Sequence, residues 1–451
     1  MPGEKILLKN CNVISPGTRV RRAVDVEIED GIISSISDRG ASKGLVLDCE
    51  KKYVLPGFVN AHSHCYQNMM RGLGSDLGLV DWLECAKYPV CEVMNADDIY
   101  ISTMIAHLEM IKSGITSVID NFDFGNDLDG VRALAKAYED SGIRGVVARG
   151  MRVRTELARE WRIPEWLIPH DEKVELSISE QVIREFNEAL DGRLRVYLSP
   201  TALYYSTKEL LLGCKELSEK YDVCIHSHVA EGEGSQKSCV RVFGKREIEI
   251  LDELGILSPS FQAVHATDLS ERELKVIGDR GCGVVHNPVS NMYLATGVCT
   301  ISALFRLGVN VALGTDGAGS NDSYNFFETM KIAALLQKIT SKDPAAVSAD
   351  RIFAMATQDG AAMISNDKIG KVEEGYRADL SVIDLNTVSS APTYKPVNNI
   401  VYAGAPSNVV HVIIDGAPVL LDGKFTKVDE AGLMNTFIKS TEKIARKLGY
   451  D

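Results

Sequence analysis

The chain has 451 residues, more than one ordinary small domain needs and enough for an eightfold barrel of about 250 residues plus a smaller unit. Apolar residues make up 45% and charged residues 25%, the balance of a globular protein. The formal net charge is −13 with no strongly basic stretch, which argues against a nucleic-acid binder, and no apolar run approaches the roughly 18 residues of a membrane span. The first 55 residues read as β: KILLKNCNVIS, AVDVEIEDGIISSIS and LVLDCEKKYVL are short apolar runs broken by Gly, Asp and Ser. From Phe58 onward, short β-rich runs alternate with helical stretches such as DDIYISTMIAHLEMIKSG and STKELLLGCKELSEKY. Eight strands are predicted: Phe58–His62, Thr116–Asp120, Arg144–Ala148, Leu194–Ser199, Val223–His228, Gln262–His265, Gly283–His286 and Val309–Asp316. Eight such units in one run predict a closed (β/α)8 barrel. The last 80 residues return to the texture of the first 55, and both VEIEDGIISSI and VIIDGAPVLLDGKF carry an Asp-Gly hairpin signal. The expected architecture is therefore α/β: a TIM-like barrel over 56–368, and a small β-sandwich built from 1–55 and 369–451 that ends in an amphipathic helix over 430–448.

The polar residues fall where barrel chemistry belongs, at the C-terminal ends of strands. In PGFVNAHSHCYQ, His62 closes the first strand and His64 follows it. Residues two apart in a strand share a face, so both imidazoles converge on one point. His226 and His228 end the fifth strand, His265 the sixth, His286 the seventh and Asp316 the eighth. His62, His64, His228 and Asp316 come from strands one, five and eight, and they supply three imidazoles and a carboxylate for one divalent ion. A metal-bound water has a lowered pKa and acts as hydroxide near neutral pH. Glu231, three residues after His228, is positioned to protonate a substrate ring nitrogen and carry that proton to a leaving group. His265 is a candidate to polarise the water or stabilise charge at the attacked carbon, and Asp316 to accept the water's proton.

PGFVNAHSH, HVAE, VHA, HNPVSN and GTDGAGSND, in that order, resemble the amidohydrolase superfamily. The resemblance covers nearly the whole chain, including the closing GKVEEGYRADLSVIDL. It points to the branch of S-adenosylhomocysteine/methylthioadenosine deaminases, guanine and 8-oxoguanine deaminases and s-triazine hydrolases. It implies His62, His64, His228 and Asp316 as ligands of one metal, usually zinc, with Fe2+ or Mn2+ as alternatives, and Glu231 with His265 as the proton-transfer pair. Binuclear members need a bridging ligand, often a carbamylated lysine on strand four. That strand here reads LRVYLSPTALY without lysine, which favours a single metal. The implied function is hydrolytic deamination of an amino-substituted aromatic N-heterocycle (purine, adenosyl, pteridine or triazine type) with release of ammonia. The runner-up is a triazine-type hydrolase expelling chloride or an alkylamine, and the remote alternative is a non-catalytic scaffold. A homodimer or homotetramer is implied by resemblance alone.

Other residues carry weaker signals. His226, one layer below His228, suits a supporting role better than ligation. His286 stands open between touching substrate and supporting Asp316, and Asn291 is expected to order its loop or meet substrate. Gln67 is a candidate to hydrogen-bond a heterocycle edge, and Tyr66 and Trp82 to line the pocket. Arg149, Arg152 and Arg154 follow strand three; a solvated face is the plain expectation, with Arg149 the candidate to grip a substrate carboxylate. His107-Leu-Glu109 superficially matches the His-x-Glu of cytidine-type deaminases, but that signature also needs Pro-Cys-x-x-Cys, which is absent. His170 and His411 read as surface or sandwich residues. Ten cysteines without Cys-x-x-Cys pairs, together with no signal peptide at MPGEKILLKN, fit reduced thiols in the cytoplasm.

Overall fold

Residues 5–41, 44–124, 128–365 and 368–450 are described by a computed structural model. Strands β1 (Lys5–Val13), β2 (Arg21–Glu29), β3 (Ile32–Ser37), β4 (Leu45–Asp48) and β5 (Tyr53–Pro56) open the chain. The β2–β3 hairpin turns on Asp30 and Gly31, at φ +50° and +78°. Two consecutive positive φ values are what a tight hairpin turn of this hand requires, which is why the Asp-Gly signal was readable.

Eight parallel strands follow: β6 (Phe58–Ser63), β7 (Ile115–Phe122), β8 (Arg144–Gly150), β9 (Leu194–Ser199), β10 (Ile225–Val229), β11 (Phe261–His265), β12 (Gly283–His286) and β13 (Val311–Leu313). Each pairs in parallel with its neighbour in sequence, giving one sheet in the order β13 to β6. The eight runs predicted from the sequence are the eight strands of a TIM-type barrel.

The eighth strand is shorter than expected. It stops at Leu313, and Asp316 lies beyond it at φ +63°. The reason is the seam between last and first strands. A Cβ at Gly314 would stand 2.9 Å from the His62 Cβ and 3.0 Å from the His62 carbonyl oxygen. Only glycine lets the chain pass so close. Thr315 and Asp316 then donate their backbone N–H groups to that same carbonyl, at 3.2 and 3.1 Å. Thr315 also receives a hydrogen bond from the Asn60 amide at 2.7 Å.

Strands β14 (Leu380–Ile383), β15 (Val409–Ile414), β16 (Ala417–Leu421) and β17 (Lys424–Phe425) return to the N-terminal strands. β14 pairs antiparallel with β5, and β5 pairs with β1, so nine strands from both ends form one sheet. Its inward residues, including Ile6, Leu8, Val26, Ile28, Leu380, Val382 and Ile413, share an apolar core apart from the barrel's. The β15–β16 turn at Asp415-Gly416 packs on the β2–β3 turn: a Cβ on Gly416 would lie 2.5 Å from Gly31 Cα. Arg144, at the start of β8, pairs with Asp379 at 2.6 Å and Asp415 at 3.1 Å, tying the barrel's N-terminal end to this sheet. The terminal helix Glu430–Leu448 reaches back to the helix Ala96–Lys112 through Lys443 and Asp98, 2.6 Å apart. No helix among the described residues is long and apolar enough to cross a membrane.

Candidate active site

The C-terminal end of the barrel gathers His62, His64, His228, His265, Glu231 and Asp316, all buried. The ligand atoms of His62, His64 and His228 lie within 4.8 Å of one another, and so do those of His62, His265 and Asp316. Asp316 Oδ1 stands 3.3 Å from His64 Nε2 and 3.5 Å from His62 Nε2. The two Asp316 spacings are close to the edge of a tetrahedron around an ion with bonds of roughly 2.0–2.1 Å.

The other nitrogen of each ring is already engaged. His64 Nδ1 meets the Asn121 carbonyl at 2.7 Å, and His228 Nδ1 meets the Thr201 carbonyl at 2.7 Å. His62 Nδ1 meets His226 Nε2 at 2.8 Å, and His226 Nδ1 meets Gln262 Oε1 at 2.8 Å. Gln262 donates its own amide to the Met363 carbonyl at 2.6 Å, which sets its oxygen toward His226. Each Nδ1 is thereby the donor, and each Nε2 keeps a lone pair aimed at Asp316 and its neighbours. His62 Nε2 is buried with no hydrogen-bond partner. An orphaned lone pair facing a carboxylate is costly unless a cation lies between them. The donor set therefore fits a single divalent metal.

Burial keeps most of these rings neutral, as metal ligation needs. It pulls His62 well below its ordinary value and His228 to about 3. His64 is the exception: burial lowers it, but the Asp123 carboxylate 3.1 Å from Nδ1 outweighs that and raises it. Asp316 is held well below the usual carboxylate range; burial opposes this, and contact with His62 and the charge of His64 overcome it. Glu231 goes the opposite way, pushed well above its ordinary value by burial first and by the Asp316 charge second. Glu231 Oε1 lies 3.6 Å from His265 Nε2, while Asn291 holds His265 Nδ1 at 2.8 Å. Their surroundings thus push the two carboxyl groups in opposite directions, favouring the protonated form of Glu231 and the ionised form of Asp316.

Backbone conformation aims these groups. Thr201, Ala230, His265 and Asp316, all at or just past barrel strand ends, sit at φ +48°, +53°, +73° and +63°. Non-glycine residues in this region are strained by of order 1–3 kcal/mol each and cluster at functional sites.

A narrow cavity opens above the cluster, lined by His64, His228, His265, Glu231 and Asp316 together with Gln67, Leu79, Trp82 and Leu83. It leads past Leu79, Glu231 and Leu294 to an outer recess of about 400 Å³. Gln67 Oε1 is buried there without a hydrogen-bond partner, free for a ligand. The Trp82 indole N–H donates to the Gly319 carbonyl at 2.7 Å, so its ring forms wall and its nitrogen holds the loop.

Three expected substrate contacts lie elsewhere. Arg149 does not line the cavity; its Nη1 bonds the Glu175 carboxylate and Ser179 Oγ on the helix Glu172–Phe186. It occupies the outer, helix-facing side of β8. His286 does not line the cavity either, and neither ring nitrogen has a partner among the described residues. Strand alternation instead gives the site side to Asn287, whose oxygen would stand 2.2 Å from a Cβ on Gly314 and whose nitrogen reaches His265 Nδ1 at 3.4 Å. Asn291 acts on His265 rather than on the cavity. The expected solvated face holds only for Arg154, which meets exposed Glu165; Arg149 and Arg152 are both buried.

Several lining residues were not expected from the sequence: Lys87, Asp123, Thr201, Tyr204, Tyr205 and Ser320. Asp123 lies just past β7, accepting hydrogen bonds from Tyr66 at 2.6 Å and Lys87 at 2.5 Å and ion-paired with Arg152 at 2.8 Å. Tyr204 stacks flat on Trp161, centroids 3.8 Å apart, at the boundary between cavity and recess. Its place just beyond β7, where a barrel gathers its chemistry, is the one signal by which Asp123 could have been found.

A profile of the amidohydrolase family matches residues 53–419. The chain is 35% identical over 395 residues to a 5'-deoxyadenosine deaminase of Methanopyrus kandleri, covering 88% of this chain and 87% of that one. It is 32% identical over 426 residues to a 5-methylthioadenosine/S-adenosylhomocysteine deaminase of Desulforamulus reducens, covering 93% and 94%. Among solved structures, an adenosine deaminase from Xanthomonas campestris with bound zinc superposes with a TM-score of 0.90 at 27% identity, covering 99% of each chain.

Proposed function

The chain belongs to the amidohydrolase family, and from that premise we propose that it is a metal-dependent hydrolase that deaminates an amino-substituted aromatic N-heterocycle. The class placed first is the adenine of a 5'-modified adenosine, because both relatives above bear deaminase names of that kind. One observation carries the proposal: ring nitrogens of His62, His64 and His228 converge beside Asp316, with Glu231, whose burial favours its protonated form, across the same cavity. The ion proposed is zinc, held by those four residues, with Fe2+ or Mn2+ as alternatives. When bound, it supplies a water of lowered pKa at that point. Asp316 would take up that water's proton as the oxygen adds to the amino-bearing carbon, and His265, whose Nδ1 accepts from Asn291, would turn its Nε2–H toward the developing charge. Glu231 gives its proton to the neighbouring ring nitrogen. The proton on Asp316 then passes to the departing nitrogen, and the proton remaining on the added oxygen returns to Glu231. The C–N bond breaks, the ring keeps a carbonyl, and ammonia leaves. Gln67 and the Trp82 ring position the heterocycle.

The same reading divides the chain into a catalytic barrel over 56–368 and a composite unit of 1–55 with 369–451, assembled as a homodimer or homotetramer in the cytoplasm. The ten cysteines, none of them in a disulfide, fit that compartment.

The experiment is ammonia release by the zinc-loaded protein from 5'-deoxyadenosine, methylthioadenosine, S-adenosylhomocysteine and guanine, with wild type beside Glu231→Gln. The variant should keep fold and metal content while losing about 10²–10⁴ in kcat. Chloride or alkylamine release from a triazine, with no ammonia from the panel, would replace deamination by the runner-up reaction. Retained turnover in Glu231→Gln would remove Glu231 from its role.

A further inference from the structure

Among the described residues, Lys87 is the one cavity-lining cation whose charge the proposed chemistry leaves unused. It ends the helical turn Leu83–Lys87, is 5% exposed, and donates to Asp123 Oδ2 at 2.5 Å. Asp123 does not depend on it. Arg152 reaches the same oxygen at 2.8 Å, and Tyr66 and His64 take the other at 2.6 and 3.1 Å. Arg152 is itself anchored under the Tyr205 ring, 5.1 Å from its centroid. Two buried cations therefore face one fully engaged carboxylate. A buried charge without its own counterpart is costly, and a structure keeps one where a ligand supplies the missing partner. An ammonium has three donors, and Asp123 occupies one of them. The other carboxyl groups lining this cavity, Glu231 and Asp316, face the histidine cluster, and among the described residues neither is ion-paired or hydrogen-bonded to Lys87; Leu79, Trp82, Leu83, Tyr204 and Tyr205 line the same cavity without a negative charge.

We propose that Lys87 is a specificity-determining residue whose ammonium donates to an oxygen acceptor on the substrate, on the edge remote from the departing amino group. The proposal rests on the deaminase reading above, since it takes the cavity as the heterocycle's seat. The acceptor chemistry has three sources in that substrate class: sugar hydroxyls, a side-chain carboxylate, or a ring oxo group.

The test compares wild type, Lys87→Met and Lys87→Arg, all zinc-loaded, on 5'-deoxyadenosine, S-adenosylhomocysteine and guanine. The first offers only sugar oxygens, the second adds a carboxylate, and the third offers only a ring oxygen. Lys87→Met should raise KM by roughly 10–100-fold for whichever substrates carry the bonded oxygen, the scale of a hydrogen bond to a charged group. kcat, melting temperature and metal content should change little, because Asp123 keeps its other partners. Lys87→Arg should recover part of the loss. A KM within threefold of wild type on every substrate overturns the proposal. So does a Lys87→Met protein that loses metal or melts early, because that marks a purely structural lysine. Should wild type release ammonia from none of the three, the deaminase reading fails by itself. Calorimetric titration of the same compounds into both proteins then judges Lys87, and affinities unchanged by Lys87→Met overturn its role.

Discussion

Gln262 touches no candidate ligand, yet it sets the tautomer of one. Its amide donates to the Met363 carbonyl, so its oxygen must accept from His226, and His226 must in turn accept from His62. Replacing it with leucine frees His226 to turn its proton toward His62 and removes the lone pair on which the relay depends. Partners of this kind are worth 10–100-fold in metal affinity. Gln262→Leu should weaken zinc binding by about that factor in a chelator-competition titration, with little change in secondary structure. Unchanged affinity would show that the relay does not act on the metal. The histidines themselves were legible because each sits at the end of an apolar strand, where a polar residue in a barrel has little other reason to be. Lys87, Asp123 and Tyr204 were not, because they lie on the connections between strands, and their meeting depends on how three separate connections fold over the barrel mouth. Arg149 was misread for a related reason. A residue near a strand's C-terminal end can face either layer, and composition does not say which.

At the scale of elements, the strand runs were legible because alternating β-rich and helical texture is a property of the chain alone. Their ends were less so. Gly314-Thr315-Asp316 reads as more strand, but the His62 carbonyl captures the two N–H groups and bends the chain into the site. The helix Glu172–Phe186 is bound to β8 by the pair Arg149–Glu175, fully inside the protein. Burial raises Glu175 above its ordinary value despite the guanidinium, so the pair resists its surroundings rather than enjoying them. Breaking one side of such a pair costs about 3–5 kcal/mol, whereas replacing both sides by apolar groups is often neutral. Arg149→Met should lower stability by that amount in urea unfolding, and Arg149→Met with Glu175→Leu should recover most of it. The folded fraction of either variant should keep its KM. A raised KM in the stable double variant would return Arg149 to the substrate's side of the barrel.

At the scale of the whole molecule, the protein holds many histidines in neutral form. Burial pulls His107, His226 and His286 each to about 3 from an ordinary 6.5. Below 6.5 the unfolded chain takes up these protons and the native one does not, so stability falls as pH falls. The loss continues down toward pH 3, where the native rings also titrate. Each ring contributes up to about 1.4 kcal/mol per pH unit in that window. The metal-free protein should therefore melt at progressively lower temperature from pH 6.5 toward 4. His107→Gln, far from the site and bonded to Ser141 at 2.9 Å, should flatten that slope. An unchanged slope would mean that His107 is not among the groups responsible. The seam at His62 and Asp316 has a consequence for biosynthesis. The proposed ligands His62 and His64 are among the first barrel residues to leave the ribosome, and Asp316 follows only once the eighth strand does. A nascent chain holds at most part of the coordination set until the ring has closed on itself. Loading of the ion thus becomes the final step of maturation, and a truncated chain stopping before residue 316 should be unable to complete it.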